Sequence, residues 1–211
     1  MKKGIFITIE GPDGSGKSTQ IESISAFLSE IGIKAVITRE PGGTNISEKI
    51  RELVLDKNYP EMDHKTEALL YAAARAQHVA EVIKPALARG QVIICDRFMD
   101  SSIVYQGYGR RLGEPVRMIN EFAVDGCMPD ITFLMILDPN VGKSRIEKEM
   151  QDRLELEQIE FHTEVFRGYM ELEKRYPERV IGINASRSIE KIHGEIRQHL
   201  TSLLRAKDEI E

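Results

Sequence analysis

Cysteine is scarce in this sequence, and long apolar runs are absent. The chain has two cysteines, Cys95 and Cys127, and no C-x-x-C spacing, so it indicates neither a zinc site nor a disulfide framework. We expect two reduced thiols in a reducing compartment. No run of about 18 apolar residues occurs, and residues 1–10 lack the apolar segment and small-residue cleavage site of a secretory signal. We therefore expect a cytoplasmic protein with no membrane partner.

Positive charge is also in short supply. Lys and Arg number 29 against 34 Asp and Glu, which gives a formal net charge of −5. This balance argues against a general nucleic-acid binder, because such proteins need a basic surface to displace counterions from the phosphate backbone. Any anionic ligand must instead meet local positive charge. With 41% hydrophobic and 30% charged residues, the chain resembles an ordinary globular protein in composition, and its 211 residues favour one domain, 1–211, over two.

Five short apolar runs, separated by helix-like stretches, predict the strands. They cover residues 5–10, 34–38, 91–95, 131–137 and 179–183. Because these runs are β-branched and apolar on both faces, they favour a buried parallel sheet that helices cover on each side. The order β-α-β-α-α-β-α-β-α-β-α predicts a doubly wound α/β domain with ligands at the carboxyl ends of the strands. In the last helix we expect an apolar stripe to pack on the core: Ile189, Ile192, Ile196, Leu200, Leu203 and Leu204.

Residues 11–18, GPDGSGKS, form a candidate phosphate loop. They fit the pattern G-x-x-x-x-G-K-[ST], follow a predicted strand and open a predicted helix. Glycines in such a loop let successive backbone N–H groups point at phosphate oxygens, and the helix presents its positive end to the same anion. Lys17 is then expected to reach the β- and γ-phosphates, and Ser18 to bind Mg²⁺. The loop predicts binding of a nucleoside triphosphate.

A second candidate lies in residues 92–98, VIICDRF, where an apolar run ends in Asp96 and Arg97. A carboxylate at a strand end beside the phosphate loop is placed to hold Mg²⁺, directly or through water. The adjacent arginine is placed to span two phosphates. The alternative is an Asp–Arg pair that only closes the strand.

Arginines recur at predicted loop positions, which suggests a second anion besides the triphosphate. They are Arg39, Arg51, Arg75, Arg97, Arg145 and Arg153. The sequence contains no guanine-reading N/T-K-x-D segment, so a GTPase is not indicated, and a motor or helicase would be larger. These features favour a kinase that acts on a phosphorylated acceptor.

Several stretches resemble the bacterial thymidylate kinase family in their order and spacing. Besides EGPDGSGKST (10–19), they are TREPGGT (38–44), EALLYAAARAQHV (67–79), CDRFMDSSIVYQGYGR (95–110) and DRLELEQIEFH (152–162). The resemblance runs from residue 4 to about residue 200. It implies a P-loop NTPase fold with a five-stranded parallel sheet and a small helical lid at about residues 145–158. It also implies transfer of the γ-phosphoryl group of Mg-ATP to dTMP by a homodimer, giving dTDP and ADP for dTTP biosynthesis.

The resemblance further implies an acceptor site. Tyr71 matches an aromatic residue that stacks on thymine, and Arg75, one helical turn on, matches the arginine that binds thymine O4. From the residues alone, core packing is the competing interpretation for Tyr71. Tyr105 matches the ring that crowds the 2′ position of the sugar. The remaining positions of this site are Glu40, Pro41, Ser101, Ser102 and Gln106, of which the last three line the base.

The same resemblance places groups around the acceptor phosphate. Arg51 and Arg97 match a pair that grips this phosphate, a geometry that suits bidentate guanidinium contacts. Asp13 matches a carboxylate that accepts from the sugar 3′-OH and orients Arg97. The catalytic residues implied by the family are Asp13, Lys17, Arg97 and Arg153.

On the donor side, the resemblance implies ATP contacts along the whole phosphate loop. These positions are Gly11, Pro12, Asp13, Gly14, Ser15, Gly16, Lys17, Ser18 and Thr19. In the bacterial family the loop lacks an arginine, as here, and the lid supplies the cation; Arg153 is the best match and Lys148 a second candidate. Arg145 matches the residue that stacks on adenine. Cations that arrive when a lid closes stabilise the transferring group while water is excluded.

The implied mechanism is in-line phosphoryl transfer without a covalent enzyme intermediate. The five histidines are scattered, and each is expected at the surface or hydrogen-bonded in the core: His64, His78, His162, His193 and His199. Two alternatives stay open. One is another nucleoside-monophosphate kinase, such as a dUMP-preferring, adenylate or guanylate kinase, since a methyl-sized group changes binding by only about 1–3 kcal/mol. The other is a regulatory nucleotide-binding module without turnover.

Overall fold

The described residues, 4–145 and 152–208 of this computed structural model, form a five-stranded parallel sheet. The strands are β1 (Ile5–Glu10), β2 (Ala35–Arg39), β3 (Val92–Asp96), β4 (Ile131–Ile136) and β5 (Val180–Asn184). Each lies within one residue of its predicted bounds. The strand order is β2-β3-β1-β4-β5, so the predicted doubly wound α/β class is confirmed.

Helices connect the strands. They are α1 (Lys17–Glu30), α2 (Asn45–Leu55), α3 (His64–His78), α4 (Lys84–Ala88), α5 (Met99–Ser102), α6 (Glu114–Val124), α7 (Pro139–Arg145), α8 (Ile159–Arg175) and α9 (Ile189–Asp208), with π-helical segments at Val79–Ile83 and Ile103–Gly109. The sequence predicted two helices between β2 and β3 and one in each of the next two intervals, whereas the described residues form three (α2, α3 and α4), two (α5 and α6) and two (α7 and α8). Between β3 and β4, α6 starts separately. The reason is local: Gly113 has φ of 65°, and Pro115 lies in the first turn of the new helix, where its missing N–H is harmless.

Helices cover both faces of the sheet. Successive side chains of a strand point to opposite sides, and the apolar residues of β1 are buried by helices on each side. Ile5, Ile7 and Ile9 of β1 pack in one apolar cluster with α1 and α9. Phe6 lies on the other face, where its ring meets Phe98 edge-on at 5.0 Å. The predicted stripe of α9 packs on the first cluster, except that Ile189 is 53% exposed. The buried or partly buried members are Ile192, Ile196, Leu200, Leu203 and Leu204.

The centre of the sheet positions the candidate site. β1 lies between β3 and β4, and Ile9 pairs with Asp96. The loop that follows β1 therefore starts beside the residue that ends β3, at the point where the strand order reverses. In doubly wound sheets, ligands bind at this point.

Two further expectations concern thiols and membranes. Cys95 and Cys127 are buried, free thiols, as predicted. Within residues 4–145 and 152–208, no helix is both long and apolar enough to cross a membrane.

Candidate functional site

The phosphate loop, residues 11–18, joins β1 to α1. Gly14 and Gly16 have φ angles of 74° and 87°, a left-handed conformation that suits glycine. A Cβ atom at Gly14 would lie 2.5 Å from the carbonyl oxygen of Gly142 in α7, so this position also requires a missing side chain. The turn brings the N-terminus of a 14-residue helix to the loop, where it favours an anion.

Lys17 is buried at this loop. Its Nζ donates to the carbonyl oxygens of Gly11 at 3.2 Å and Pro12 at 3.0 Å, and it lies 3.5 Å from Asp13 Oδ1. Burial and the positive charge of Arg97 lower the pKa of Lys17, while Asp13 opposes the shift. An anion bound in the loop would stabilise the charged ammonium group.

An ion pair joins the phosphate loop to the end of β3. Arg97 Nη2 donates to Asp13 Oδ1 at 2.6 Å. Its Nη1 donates to Ser101 Oγ at 3.1 Å and Tyr169 OH at 3.3 Å, and its guanidinium lies 5.1 Å from the centre of the Tyr105 ring. Burial alone would raise the pKa of Asp13, but the positive charges of Arg97 and Lys17, with the hydrogen bonds these residues donate, together outweigh it and hold that pKa well below its usual value. The guanidinium is thus fixed by groups on three sides.

One cleft beside this pair, here called the acceptor cleft, brings together every predicted acceptor-site residue. Its lining residues are Asp13, Glu40, Pro41, Arg51, Leu55, Tyr71, Arg75, Arg97, Ser101, Ser102, Tyr105, Gln106, Asp152, Leu154 and Glu155. Four of these were not predicted as site residues: Leu55, Asp152, Leu154 and Glu155. Tyr71 is 7% exposed, so its side chain belongs to the core and to the cleft wall at once.

A second cleft, here called the phosphate cleft, opens at the loop. It is lined by Asp13, Gly14, Gly16, Lys17, Ser18, Thr19, Arg39, Glu40, Arg51, Asp96, Arg97, Arg145 and Glu155. Five residues line both clefts: Asp13, Glu40, Arg51, Arg97 and Glu155. Arg51 Nη1 donates to the carbonyl oxygen of Pro41 at 2.9 Å. Two arginines therefore lie where the clefts meet.

Asp96 has an unpaired oxygen at the phosphate cleft. Its Oδ1 is buried and has no hydrogen-bond partner among the described residues, a costly arrangement that a cation or water would relieve. Ser18, in the first turn of α1, lines the same cleft and is exposed. Nowhere in the described part of the chain do three His, Cys, Asp or Glu side chains group to hold a metal. This donor set fits Mg²⁺, which binds one or two protein oxygens and takes the rest from phosphates and water.

Arg75 reaches the acceptor cleft from α3 with most of its donors already engaged. Its Nε donates to Glu40 Oε2 at 2.7 Å, and its Nη2 to the carbonyl oxygen of Phe98 at 2.9 Å. Its Nη1 donates to Ser102 Oγ at 2.9 Å and to Asn120 Oδ1. These bonds use four of the five N–H donors of a guanidinium, which leaves one on Nη2 for a ligand.

His78 is hydrogen-bonded in the core, as predicted. Its Nδ1 lies 2.8 Å from Glu40 Oε1, and its Nε2 lies 2.7 Å from Thr38 Oγ1. One carboxylate oxygen of Glu40 thus contacts His78, and the other accepts a hydrogen bond from Arg75. Sequence reasoning missed this support, because a scattered histidine carries no signal of its partner.

Comparison with known proteins decides the family. The family model of thymidylate kinase matches residues 9–196. This chain belongs to the thymidylate kinase family. A thymidylate kinase of Clostridium novyi is 50% identical over 204 residues, covering 95% of this chain and 100% of that protein. One of Geobacillus thermodenitrificans is 50% identical over 196 residues, covering 91% and 87%.

A solved structure agrees with these relatives. The crystal structure of thymidylate kinase from Ehrlichia chaffeensis superimposes with a TM-score of 0.77 at 34% identity, covering 94% of this chain and 99% of that one. Thymidylate kinases are nucleoside-monophosphate kinases that act on dTMP with ATP. The predicted family, fold class and activity are confirmed. The findings support this activity and not the alternatives of another nucleoside-monophosphate kinase or a switch without turnover.

Glu10 is a central residue of the site that motif reasoning missed. It ends β1 and is 1% exposed. Its carboxylate accepts from the backbone N–H groups of Phe98 at 2.7 Å and Ser101 at 3.2 Å, and from Ser101 Oγ at 2.5 Å and Tyr169 OH at 3.1 Å. Burial, and then the negative charge of Asp100, raise the pKa of Glu10 to about 7. The available signal was an acidic residue that ends an apolar strand beside the phosphate loop.

Stability of the enzyme should therefore fall as pH rises through the range set by Glu10. In the unfolded chain its pKa is 4.5, so between pH 4.5 and about 7 the folded state holds a proton that the unfolded state releases. The free energy of unfolding then declines across this window, by up to about 3 kcal/mol for a shift of this size. Glu10→Gln should flatten that slope in urea titrations at several pH values. Equal slopes for both proteins would show that Glu10 does not titrate in this range.

Arg153, predicted as the lid cation, binds a carboxylate and a backbone carbonyl in this structure. It does not line the phosphate cleft. Its Nε and Nη2 donate to the carbonyl oxygen of Val54 at 3.1 and 3.0 Å, and its Nη2 donates to Glu67 Oε2 at 2.6 Å. The physical reason is a competing anion: Glu67 is fully buried and requires positive partners.

The rest of the predicted lid is only partly described. Lys148 lies outside the described residues, as do all of residues 146–151. Arg145 lines the phosphate cleft, and its Nη1 donates to the carbonyl oxygen of Gly14 at 3.2 Å. Among the described lid residues, Arg145 and Glu155 reach this cleft.

Proposed function

We propose that the acceptor cleft binds dTMP, that the phosphate cleft binds the triphosphate of Mg-ATP, and that the chain, as a single domain, transfers the γ-phosphoryl group directly between them. One observation carries this proposal: the residues that line both clefts include Asp13, Arg51 and Arg97. Two guanidinium groups at the junction suit an acceptor phosphate that faces a γ-phosphate, because each binds phosphate oxygens in a bidentate manner. The products are dTDP and ADP, which places the reaction in dTTP biosynthesis.

In the acceptor cleft, we assign thymine to the wall formed by Tyr71 and Arg75. The remaining Nη2 donor of Arg75 suits the O4 acceptor of thymine, and Glu40 holds the guanidinium in place. Tyr105 OH donates to Asp13 Oδ2 at 3.3 Å, which fixes the ring beside the sugar. Asp13 then accepts from the 3′-OH, and the aromatic ring crowds the 2′ position.

In the phosphate cleft, we assign the β- and γ-phosphates to the loop N–H groups and Lys17. Ser18 and Asp96 hold Mg²⁺, the latter directly or through water, and its unpaired oxygen supports this role. When bound, Mg²⁺ offsets negative charge on the phosphates. Arg145, at the edge of the cleft, contacts the adenine nucleotide.

The chemistry requires little acid–base catalysis. A phosphate oxygen of dTMP, already ionised at neutral pH, forms a bond to the γ-phosphorus while the bond from that phosphorus to the bridging oxygen of ADP breaks. Lys17 and Arg97 stabilise charge on the transferring group in place of water. Holding the two reactants end to end supplies the rest of the acceleration.

A panel of acceptors tests this function. The purified protein is incubated with Mg-ATP and each of dTMP, dUMP, AMP, GMP and CMP, and ADP release is followed. We expect turnover with dTMP to exceed turnover with every purine acceptor and CMP. Comparable rates with AMP or GMP would contradict the assignment of thymine to the cleft wall formed by Tyr71 and Arg75.

We also propose that the enzyme works in the cytoplasm on free nucleotides, without a nucleic-acid or membrane partner. The net charge of −5 supports the first exclusion, since a protein of net negative charge does not attract a polyanion. Two buried free thiols support a reducing compartment.

We further propose a homodimer formed through α2, α3 and α6. Helix α3 packs against both of the others. Large apolar side chains of these helices are exposed: Ile46, Leu53, Leu69, Met118 and Phe122. Phe122 is 88% exposed, and large exposed apolar side chains on neighbouring helices suit a protein interface.

Phe122→Glu should convert the dimer to a monomer, because a charge buried in an apolar interface has no partner. Sedimentation velocity of the wild type and the variant measures this. Ile189→Glu, at a similarly apolar and exposed position on α9, is the matched control and should leave the dimer intact. A wild-type monomer, or a dimeric Phe122 variant, contradicts this interface.

A further inference from the structure

Residues 152–158 form one wall of the acceptor cleft. Asp152, Leu154 and Glu155 line it, and Leu154 is buried in an apolar cluster. The backbone N–H of Arg153 donates to the carbonyl oxygen of Leu55 at 3.3 Å. The segment is therefore seated on the end of α2, on the acceptor side of the site.

A buried carboxylate on α3 holds this wall. Glu67 is fully buried, and its oxygens receive Arg153 Nη2 at 2.6 Å, Gln106 Nε2 at 2.8 Å, and Arg110 Nε and Nη2 at 3.2 and 3.1 Å. Burial alone would raise the pKa of Glu67, but hydrogen bonds and charge from Arg110 lower it below its usual value. Three side chains from two different parts of the chain thus donate four hydrogen bonds to one ionised carboxylate.

The second arginine of this cluster holds the same wall at its other end. Arg110 Nη1 donates to Glu157 Oε1 at 2.5 Å, and its guanidinium lies 4.8 Å from the centre of the Phe161 ring. Arg153 and Glu157, four residues apart, are therefore both tied to the cluster around Glu67. Gln106, which lines the acceptor cleft, shares the same carboxylate.

We infer that Glu67 is a positioning residue that latches residues 152–158 over the acceptor cleft, and that Arg153 serves this latch instead of supplying charge to the transferring phosphoryl group. The geometry favours this role because Arg153 is 9% exposed and its Nε and Nη2 are already bonded to Val54 and Glu67. Moving it to the phosphate cleft would strip a buried carboxylate of one of its two cations. The inference rests on the proposed function only in naming dTMP as the occupant of the cleft.

Hydrogen exchange tests the latch without any need for catalysis. In Glu67→Gln, which keeps the size of the side chain, backbone exchange in peptides spanning 152–158 should rise at least roughly ten-fold, while peptides of β1 and β4 keep their protection. Glu171→Gln is the matched control, since the carboxylate of Glu171 in α8 also accepts from more than one side chain, Tyr108 and Arg167, but away from residues 152–158. Unchanged exchange of residues 152–158 in Glu67→Gln, or an equal rise in the control, overturns the latch.

Kinetics then separate the latch from a catalytic role of Arg153. In both Glu67→Gln and Arg153→Met, the KM for dTMP should rise roughly ten-fold while kcat at saturating dTMP and the KM for ATP change less than about three-fold. The effects should not add in the double variant, because both remove one interaction. If the turnover rate of Arg153→Met falls about 100-fold or more while that of Glu67→Gln stays near normal, the inference is overturned. Arg153 would then be the catalytic cation that the resemblance implies. Wild-type turnover of dTMP in the same assay reports on the proposed function separately, and the exchange experiment decides the latch if that turnover is absent.

Discussion

Arg97→Ala should lower kcat by a factor of about 1,000, which corresponds to about 4 kcal/mol of lost transition-state stabilisation. The guanidinium lies where the two clefts meet and is fixed by Asp13, Ser101 and Tyr169. It is therefore in place before the reaction and needs no reorganisation as charge develops. The backbone of Arg97 is also consistent with a functional role. Its φ is 64°, a left-handed conformation that costs a non-glycine residue about 1–2 kcal/mol, and such strain is common at active sites.

Steady-state kinetics at saturating Mg-ATP and dTMP measure the effect of Arg97→Ala. Arg97→Lys should recover little, because an ammonium group cannot replace a planar fork. Arg89→Ala, an exposed arginine outside both clefts, is the matched control and should leave kcat unchanged. Near-normal kcat for a folded Arg97→Ala protein would refute the assigned role.

Lys17→Met should lower kcat/KM for ATP by a factor of at least about 1,000. Lys17 is the only lysine among the described residues that line the phosphate cleft, and the loop carbonyls of Gly11 and Pro12 already orient its ammonium group. Methionine keeps the apolar stem and removes the charge, so the fold should survive. A smaller effect on the KM for dTMP is expected, because Lys17 does not line the acceptor cleft.

Two comparisons make the result for Lys17→Met interpretable. Lys191→Met, an exposed lysine of α9, should have wild-type kinetics. Thermal unfolding should show that both variants are folded at the assay temperature. If Lys17→Met kept more than about a tenth of wild-type kcat/KM, the loop would not hold the transferring phosphates as proposed.

The fold was predictable from the sequence because its signals are local. Each strand is a short apolar run, and the glycines of residues 11–18 mark one specific turn between a strand and a helix. The Ile9–Asp96 pairing then follows from parallel register alone. Helix α6 was not predicted as a separate helix, although Gly113 and Pro115 mark its start.

The candidate site was predictable where residue types are tied to short motifs. The acceptor residues were found by resemblance, and the structure gathers them around one cleft. Glu10 and Glu67 were missed, and the contact of His78 with Glu40 was not foreseen, because these roles depend on burial and on partners 38 or more positions away. Arg153 illustrates the limit: its motif identifies the residue, but its contact with Glu67, 86 positions away, could not be predicted from the sequence.

The two clefts are proposed to hold donor and acceptor end to end across Arg97. A bisubstrate analogue, with adenosine and thymidine joined by a chain of phosphates, tests this arrangement most directly by isothermal titration. We predict one analogue bound per chain, with ATP and dTMP both excluded while it is bound, and much weaker binding to Arg97→Ala. Binding of either ATP or dTMP to the protein already saturated with the analogue would contradict the shared junction of the two clefts.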